Sequence, residues 1–381
     1  MCEHTYCHSS VFCCIFALAV EQHQNHIRIK DIAEKAGCSI GTVDRVIHNR
    51  GKVAEPVKNR VLAIIDELDY RPNVNARVLA SKKTLTLGIL LPSYRRGEYW
   101  ELPNLGIRDA IDRYSGQGYQ IRPVHELYNS PEKFHTAGMK LLAENVDGII
   151  MSPSSYKETT RLVRYYFQHN KPFILIDSDI YGLPSLSFIG KDPVQSGMTV
   201  ARLIHQMTRH IGGEKLIWTL NISKHLDQMY ALLARESGFM SYFADKQLQD
   251  HYRFRAFDLE DRGQQGPTDR EVEALLGEGI PHAIYVTGSR VFKIARSLRK
   301  LITTEKPLLI GHDLIRANME KVRDESVDFL IEEEARRQGY LAVESMIRSL
   351  IHKEKIGKKQ LMNLMIYTRE NIPPDSAEQG G

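Results

Sequence analysis

The sequence predicts an α/β protein: a small all-α module followed by a doubly wound, parallel-sheet body. Three observations carry this reading. Between Lys30 and Leu68 apolar residues recur at helical spacings of three and four, whereas from Leu85 onward short runs apolar on both faces alternate with amphipathic segments of helix length. Strands buried on both faces and separated by helices are the mark of parallel sheets covered on both sides. The 381 residues are also too many for one ordinary domain.

Composition narrows the class. With 42% apolar and 26% charged residues the chain reads as a globular protein, neither disordered nor membrane-embedded. Residues 27–83 hold 12 Lys and Arg against 7 Asp and Glu, so this segment carries +5 of a whole-chain net charge of +4. A basic module ahead of a near-neutral body points to a polyanionic partner such as nucleic acid. Of five cysteines, Cys2, Cys7, Cys13 and Cys14 crowd into the first fourteen residues and Cys38 stands alone in the rest. That pattern holds no disulfide framework and suits a reducing cytosol.

Residues 11–20 form an apolar run that is too short to span a bilayer. The stretch before it contains Glu3 and no Lys or Arg, so the basic start of a secretory signal is missing. Residues 1–26 are therefore expected to be a disordered extension or to precede the true start.

The module begins at residue 27. Lys30–Ala36 reads as a short helix with Asp31 and Glu34 in its early turns, and Gly37 stands where a left-handed stop belongs. Ser39 takes the next N-cap position, and Ile40, Val43, Val46 and Ile47 continue a helical stripe. Glu55 and Pro56 open a third helix, whose stripe Val57, Val61, Ile64, Ile65 and Leu68 can cover the first two. Two short helices joined by a glycine-containing turn match a helix-turn-helix, although periodicity alone leaves any three-helix bundle open.

The residues themselves are more specific. Ile-Lys-Asp-Ile-Ala-Glu-Lys-Ala-Gly-Cys-Ser from Ile29 to Ser39, Thr-Val-Asp-Arg-Val-Ile-His-Asn from Thr42 to Asn49, Tyr-Arg-Pro-Asn from Tyr70 to Asn73 and Ala-Arg-Val-Leu-Ala from Ala76 to Ala80 together resemble the LacI/GalR headpiece. The resemblance implies that residues 27–72 are a DNA-binding headpiece whose second helix enters the major groove. Ile40, Gly41 and Arg45 then face base edges, with Arg45 able to donate two hydrogen bonds to one guanine. Thr42, His48, Asn49, Lys52, Tyr70 and Asn73 lie near the DNA backbone and set register. Residues 73–83 match the family's hinge helix and linker, on which Ala76 meets the minor groove and Leu79 is the apolar wedge. Asp44 departs from the serine of many relatives. An acid there can accept from a cytosine amino group or pair with His48, so no relative's operator transfers to this chain. Ala54 likewise stands where a capping hydroxyl is common.

In the body the strand candidates are Leu85–Leu91, Gly148–Met151, Phe173–Ile176, Leu216–Leu220, Ala283–Val286 and Leu308–Ile310. Residues 84–370 resemble the type I periplasmic-binding-protein fold, which implies two lobes joined by three crossings and a ligand held between them. Phe188–Asp192 with Gly197 resembles the first crossover, Arg235–Phe239 the family's arginine helix, Ile310–Asp313 the second crossover and Glu332–Glu334 the third. Asp177 and Asp313 each end an apolar strand, where they either accept from ligand hydroxyls or cap the next helix, and Arg235 can donate to hydroxyls or a carboxylate. Tyr94, Tyr99 and Trp100 offer an aromatic wall for a sugar face, with core packing as the rival role. Glu333 is a ligand candidate, yet an acid at the start of the helix Ala335–Leu350 is more simply a partner of that helix's dipole. Thr287-Gly288-Ser289 replaces the Asn-Asp pair of many sugar-responsive relatives, so the effector is an unusual sugar, a sugar acid or something outside carbohydrates. Residues 371–381 are expected to be a disordered tail.

These features describe a cytoplasmic, nucleoid-associated transcription regulator, with repression the expected mode. Its partners would be a double-stranded DNA operator, a sugar-like effector and a second copy of itself, with no membrane association. No leucine heptad follows Tyr367 to make a tetramer. No nucleophile elbow, metal-ligand pair or phosphate-cradling loop is present in the sequence, so neither enzyme activity nor any cofactor or metal is expected. The alternative is a solute-binding protein for transport or sensing, for which a headpiece ahead of the sensor would serve nothing.

Overall fold

In the computed structural model, the structure describes residues 27–47, 50–68, 70, 84–223, 230–261, 269–277, 279–302 and 306–374. The chain falls into two compact units, Met1–Arg77 and Val78–Gly381.

The first unit contains α1 (Ile29–Ala36), α2 (Ile40–Ile47) and α3 (Glu55–Glu67). Gly37 ends α1 with φ 61°, and its amide and that of Cys38 return to the last carbonyls of the helix. Ser39 Oγ accepts from Thr42 N at 3.1 Å and so starts α2. Ala54 precedes α3 without a side-chain cap, and Pro56 opens that helix instead. Ile32, Ala33, Ala36, Val43, Val46, Val61 and Ile64 bury one shared core.

The second unit is a pair of α/β lobes. In chain order it runs β1 (Thr84–Pro92), α4 (Glu101–Gly116), β2 (Gln120–Tyr128), α5 (Pro131–Ala143), β3 (Gly148–Met151), α6 (Tyr156–Gln168), β4 (Phe173–Asp177), β5 (Ser187–Gly190) and α7 (Pro193–Thr208). It continues with β6 (Lys215–Ser223), α8 (Tyr230–Asp245), β7 (Tyr252–Glu260), α9 (Asp269–Leu276), β8 (Ala283–Val286), α10 (Val291–Leu301), β9 (Leu308–His312), α11 (Arg316–Arg323) and β10 (Phe329–Glu332). The last elements are α12 (Ala335–Leu350), β11 (Lys359–Leu361) and β12 (Met365–Tyr367). One sheet has the order β11-β5-β4-β3-β1-β2 and the other β12-β10-β9-β8-β6-β7. All pairings are parallel except that of β10 with β12.

Side-chain alternation explains why the strands read as unbroken apolar runs. Leu87, Ile89 and Leu91 of β1 join one core while Leu90 joins the core on the opposite face. In the second sheet Ile284 and Val286 face one way, and Ala283 and Tyr285 the other.

The chain passes between the lobes three times, from β5 to α7, from β10 to α12 and from β11 to β12. The sequence placed the second crossing at Ile310–Asp313, which is a correction: β9 pairs with β8 and β10 in one sheet, and α11 merely returns the chain to that sheet. Glu332–Glu334 is the second crossing, and the third lies at Met362–Leu364.

The helices that follow two of these crossings pack unusually closely. A Cβ on Gly106 of α4 would lie 1.7 Å from the Arg336 carbonyl oxygen, and one on Gly339 of α12 would lie 1.9 Å from that of Pro103. Backbone-to-backbone contact at this crossing tolerates no side chain. Gly339→Ala is therefore expected to lower stability by about 1–3 kcal/mol, since overpacking must push the helices apart. Gly116→Ala, with open space around its Cβ, should change it by only a few tenths; chemical denaturation of both variants separates the two.

Candidate functional site

Two surfaces carry the candidate residues, one in each unit. On α2, Val43 and Val46 face the core while Ile40, Gly41 and Arg45 are exposed. Ile40 keeps 53% of its surface in solvent. Arg45 Nε donates to the Gly41 carbonyl at 3.1 Å, which steadies the side chain while its terminal nitrogens stay at the surface. Thr42 and Asp44 are half-buried, Lys52 is exposed and Tyr70 packs on the three-helix core. His48, Asn49, Asn73, Ala76 and Leu79 lie outside the described residues.

In the body, the carboxyl ends of the strands bring Asp177, Lys191, Arg235, Asp313 and Glu333 into one buried cluster. Asp177 ends β4, Lys191 lies on the first crossing, Arg235 is on α8, Asp313 follows β9 and Glu333 lies on the second crossing. Every one of them is at most 7% exposed. Lys191 Nζ bridges Asp177 Oδ1 at 2.8 Å and Glu333 Oε2 at 3.2 Å. Arg235 Nη2 donates to the same Glu333 oxygen at 2.5 Å, and Nη1 donates to the Thr287 carbonyl.

Pairing overrides burial at most of these groups. Burial alone would raise both carboxyls, yet Lys191 holds Asp177 below the usual range, and Arg235 and Lys191 together hold Glu333 far below it. Asp313 is the exception. Burial pushes its carboxyl up to about 7, aided by Glu332 and Glu333 against the opposing pull of Lys191 and Arg235, and its Oδ1 has no hydrogen-bond partner. His312 is kept neutral by burial and by Arg235, with Tyr285 on its Nε2 at 2.9 Å.

Local structure explains why these side chains meet. Asp177 and Asp313 both adopt left-handed backbone, with φ 68° and 72°. Asn318 Nδ2 reaches the carbonyls of Ser289, His312 and Asp313 within 3.0 Å, tying together the loops after β8 and β9. Gly197 and Gly238 let α7 and α8 touch, since a Cβ on either would come within 2.0 Å of the carbonyl oxygen of Arg235 or Val194. Arg235 is thereby held against the crossing that carries Lys191.

Several expectations change. Glu333 does not serve the start of α12; Glu332 does, accepting from Ala335 N at 3.0 Å, while Glu333 turns into the ion cluster. The acceptor capacity of Asp177 is largely used by Lys191, Tyr99 and Ser178. Of the aromatic residues, Tyr99 enters the cluster through Asp177 and lies under the Lys191 ammonium. Trp100 packs edge-to-face on Tyr99 and against the core of its lobe, and Tyr94 stands half-buried near Arg108 and Glu101. Lys191, His312 and Asn318 escaped the sequence reading as site residues. Lysine is ordinarily solvated, and only its position on a crossing marked Lys191 out.

Among the described residues no group of His, Cys, Asp and Glu could hold a metal ion, and no helix is long and apolar enough to cross a membrane.

Residues 28–73 match the lacI family of bacterial regulatory proteins, and residues 87–354 match the periplasmic binding protein domain. Catabolite control protein A of Streptococcus mutans is 30% identical over 190 residues, which are 49% of this chain and 55% of that protein. The HTH-type transcriptional regulator MalR of Streptococcus pneumoniae is 27% identical over 285 residues, 75% of this chain and 78% of that protein. The chain thus spans about half the length of the first relative and more of the second. These relatives are regulators rather than enzymes. Two solved structures share the fold: the lac repressor dimer bound to operator and the anti-inducer ONPF, with TM-score 0.59, 20% identity and coverage of 91% of this chain and 99% of that one, and the glucose-galactose binding protein GanP of Geobacillus stearothermophilus, with TM-score 0.65, 17% identity and coverage of 77% and 100%.

Two outcomes test the cluster. Lys191→Met leaves two buried carboxylates without their shared cation and should cost about 3–5 kcal/mol in chemical denaturation. Asp313, with its carboxyl raised above the ordinary value of 3.8, holds in the folded state a proton that the unfolded chain has lost. Its contribution therefore falls as pH rises from about 4 to about 7 and is constant above that, by at most about 4 kcal/mol. Asp313→Asn should accordingly gain Tm relative to the parent protein across that window, and a difference independent of pH would refute the assignment.

Proposed function

This chain belongs to the LacI family of bacterial regulatory proteins, with a lacI-type headpiece ahead of a periplasmic-binding-protein domain, and from that premise we propose that it is an effector-controlled repressor of transcription. The observation that carries the reading is the presence, in one chain, of an exposed Ile40–Gly41–Arg45 face and a buried polar cluster assembled from two lobes. Arg45 reads a guanine through its terminal nitrogens, Ile40 covers a thymine methyl, and Asp44 accepts from a cytosine amino group. Thr42, His48, Asn49, Lys52, Tyr70 and Asn73 contact the DNA backbone. Ala76 and Leu79 act in the minor groove as parts of a hinge helix.

A homodimer in the cytoplasm places two headpieces on a pseudo-palindromic operator. The effector, a sugar or sugar derivative, binds between the lobes against Asp313 and Arg235, with Asp177, Glu333, Tyr94 and Trp100 around them. Its differential affinity for the two lobe arrangements changes the headpiece spacing. Coupling of this kind is about 1–3 kcal/mol and reciprocal, so DNA shifts effector affinity as much as effector shifts DNA affinity.

Selection of bound duplexes from a random pool tests this. The full chain should enrich a pseudo-palindrome. Arg45→Ala should lose about 1–3 kcal/mol of affinity and relax preference at one symmetric base pair. Failure of the folded protein to enrich any sequence would remove the proposal.

A further inference from the structure

The two lobes repeat one plan, and the repeat is broken at one charge. Both sheets have the same strand order, so β4 corresponds to β9 and β5 to β10. Asp177 then corresponds to Asp313, and the left-handed backbone at both supports the match. Lys191, the first residue past β5, stands opposite the second crossing, where Glu333 follows Glu332. On one side Lys191 neutralises Asp177. On the other the equivalent position is an acid, and Asp313 receives no cation.

The cations present are already engaged. Lys191 serves Asp177 and Glu333, and Arg235 serves Glu333 and the Thr287 carbonyl. Among the described residues, the cluster sets three carboxyl groups against two cations, and His312 stays neutral. Asp313 Oδ1 is left as a buried acceptor without a partner. An anion entering here would find both cations already engaged by Asp177 and Glu333. Because the Asp313 carboxyl still holds a proton part of the time near pH 7, a neutral hydroxyl would satisfy geometry and leave it so, whereas a cation would displace that proton and pair with the carboxylate.

We propose that the effector presents a protonated amine to Asp313, taking the place that Lys191 fills for Asp177, and belongs to the amine-bearing polyols such as amino sugars. This rests on the regulator reading above only for the word effector, since the imbalance of cations and carboxyls belongs to the cleft alone. The remaining hydroxyls of such a ligand would find Arg235 Nε, a buried donor without a partner. A sugar acid, one of the effector classes that the missing Asn-Asp pair leaves open, is thereby disfavoured.

The test uses matched triplets that share a ring scaffold and differ in charge: glucose, glucosamine and glucuronate, then galactose, galactosamine and galacturonate. Each is titrated calorimetrically into the full chain and into Asp313→Asn at pH 7. The expected result is binding of at least one amine at least tenfold tighter than its neutral partner, with that margin lost in Asp313→Asn and no binding of the acids. The proposal is overturned by a neutral or acidic member that binds as tightly as the amine, by an amine whose margin survives in Asp313→Asn, or by no amine binding at all. Because the random-duplex selection is run both without ligand and with candidate sugars, an enriched operator together with failure of the amines would overturn this inference and leave the regulator reading intact.

Discussion

The body is organised around one carboxylate, Glu333, and the two cations that share its Oε2 oxygen, Lys191 and Arg235. Removing an ion from water costs several kcal/mol, and with Glu333 Oε1 and Arg235 Nε left without hydrogen-bond partners the offset must come from the close approach of the charges. That requirement constrains everything nearby. Lys191 must leave β5 at the first crossing, Glu333 must leave β10 at the second, and Arg235 must arrive on a helix pressed against both. The glycines at 197 and 238 make the last condition possible, because any side chain there would separate the helix bearing Arg235 from the helix that follows Lys191.

The same constraint explains an economy in the fold. Each of the first two crossings carries a charged residue into the cluster and then starts a helix that packs by backbone contact in the lobe it enters, α7 on α8 in one case and α12 on α4 in the other. A movement of one lobe against the other therefore acts on the crossings, and the crossings hold the ions. Charge pairing and lobe geometry are in this way the same set of interactions.

The sequence revealed six interior strands, β1, β3, β4, β6, β8 and β9, because burial on both faces demands apolar residues at every position, while the interior β5 and β10 were read only through the crossovers at their ends. It did not reveal the edge strands, β2 and β11 of one sheet and β7 and β12 of the other; in β2 and β7 alternating exposure and polar residues mimic loops, and Pro123 in β2 is tolerable only because an edge strand can lose a ladder donor. The headpiece was legible in detail, since Gly37 and Ser39 perform local tasks that few other residues can. The cleft was legible only by position. Three consecutive acids at 332–334 look alike in sequence, yet successive side chains diverge: Glu332 takes the helix start, Glu333 the ion cluster, and Glu334 accepts from Arg337 and from the Asn363 amide. Only the path of the crossing strand distinguishes them.

Magnitudes show why such a cluster can act as a switch. Loss of one partner from a buried pair costs about 3–5 kcal/mol, whereas a regulator needs only about 1–3 kcal/mol of coupling between effector and DNA. A ligand therefore need not rebuild the cleft. Changing the environment of one group, so that Asp313 becomes paired or Lys191 divides its contacts differently between Asp177 and Glu333, supplies more than enough free energy. The symmetric plan of the two lobes would waste this sensitivity if both aspartates were neutralised by the chain itself. With Asp177 paired by Lys191 and Asp313 left without a cation, the chain itself compensates one half of the cluster and not the other, and under the proposed reading that asymmetry would make the cleft responsive to its occupant.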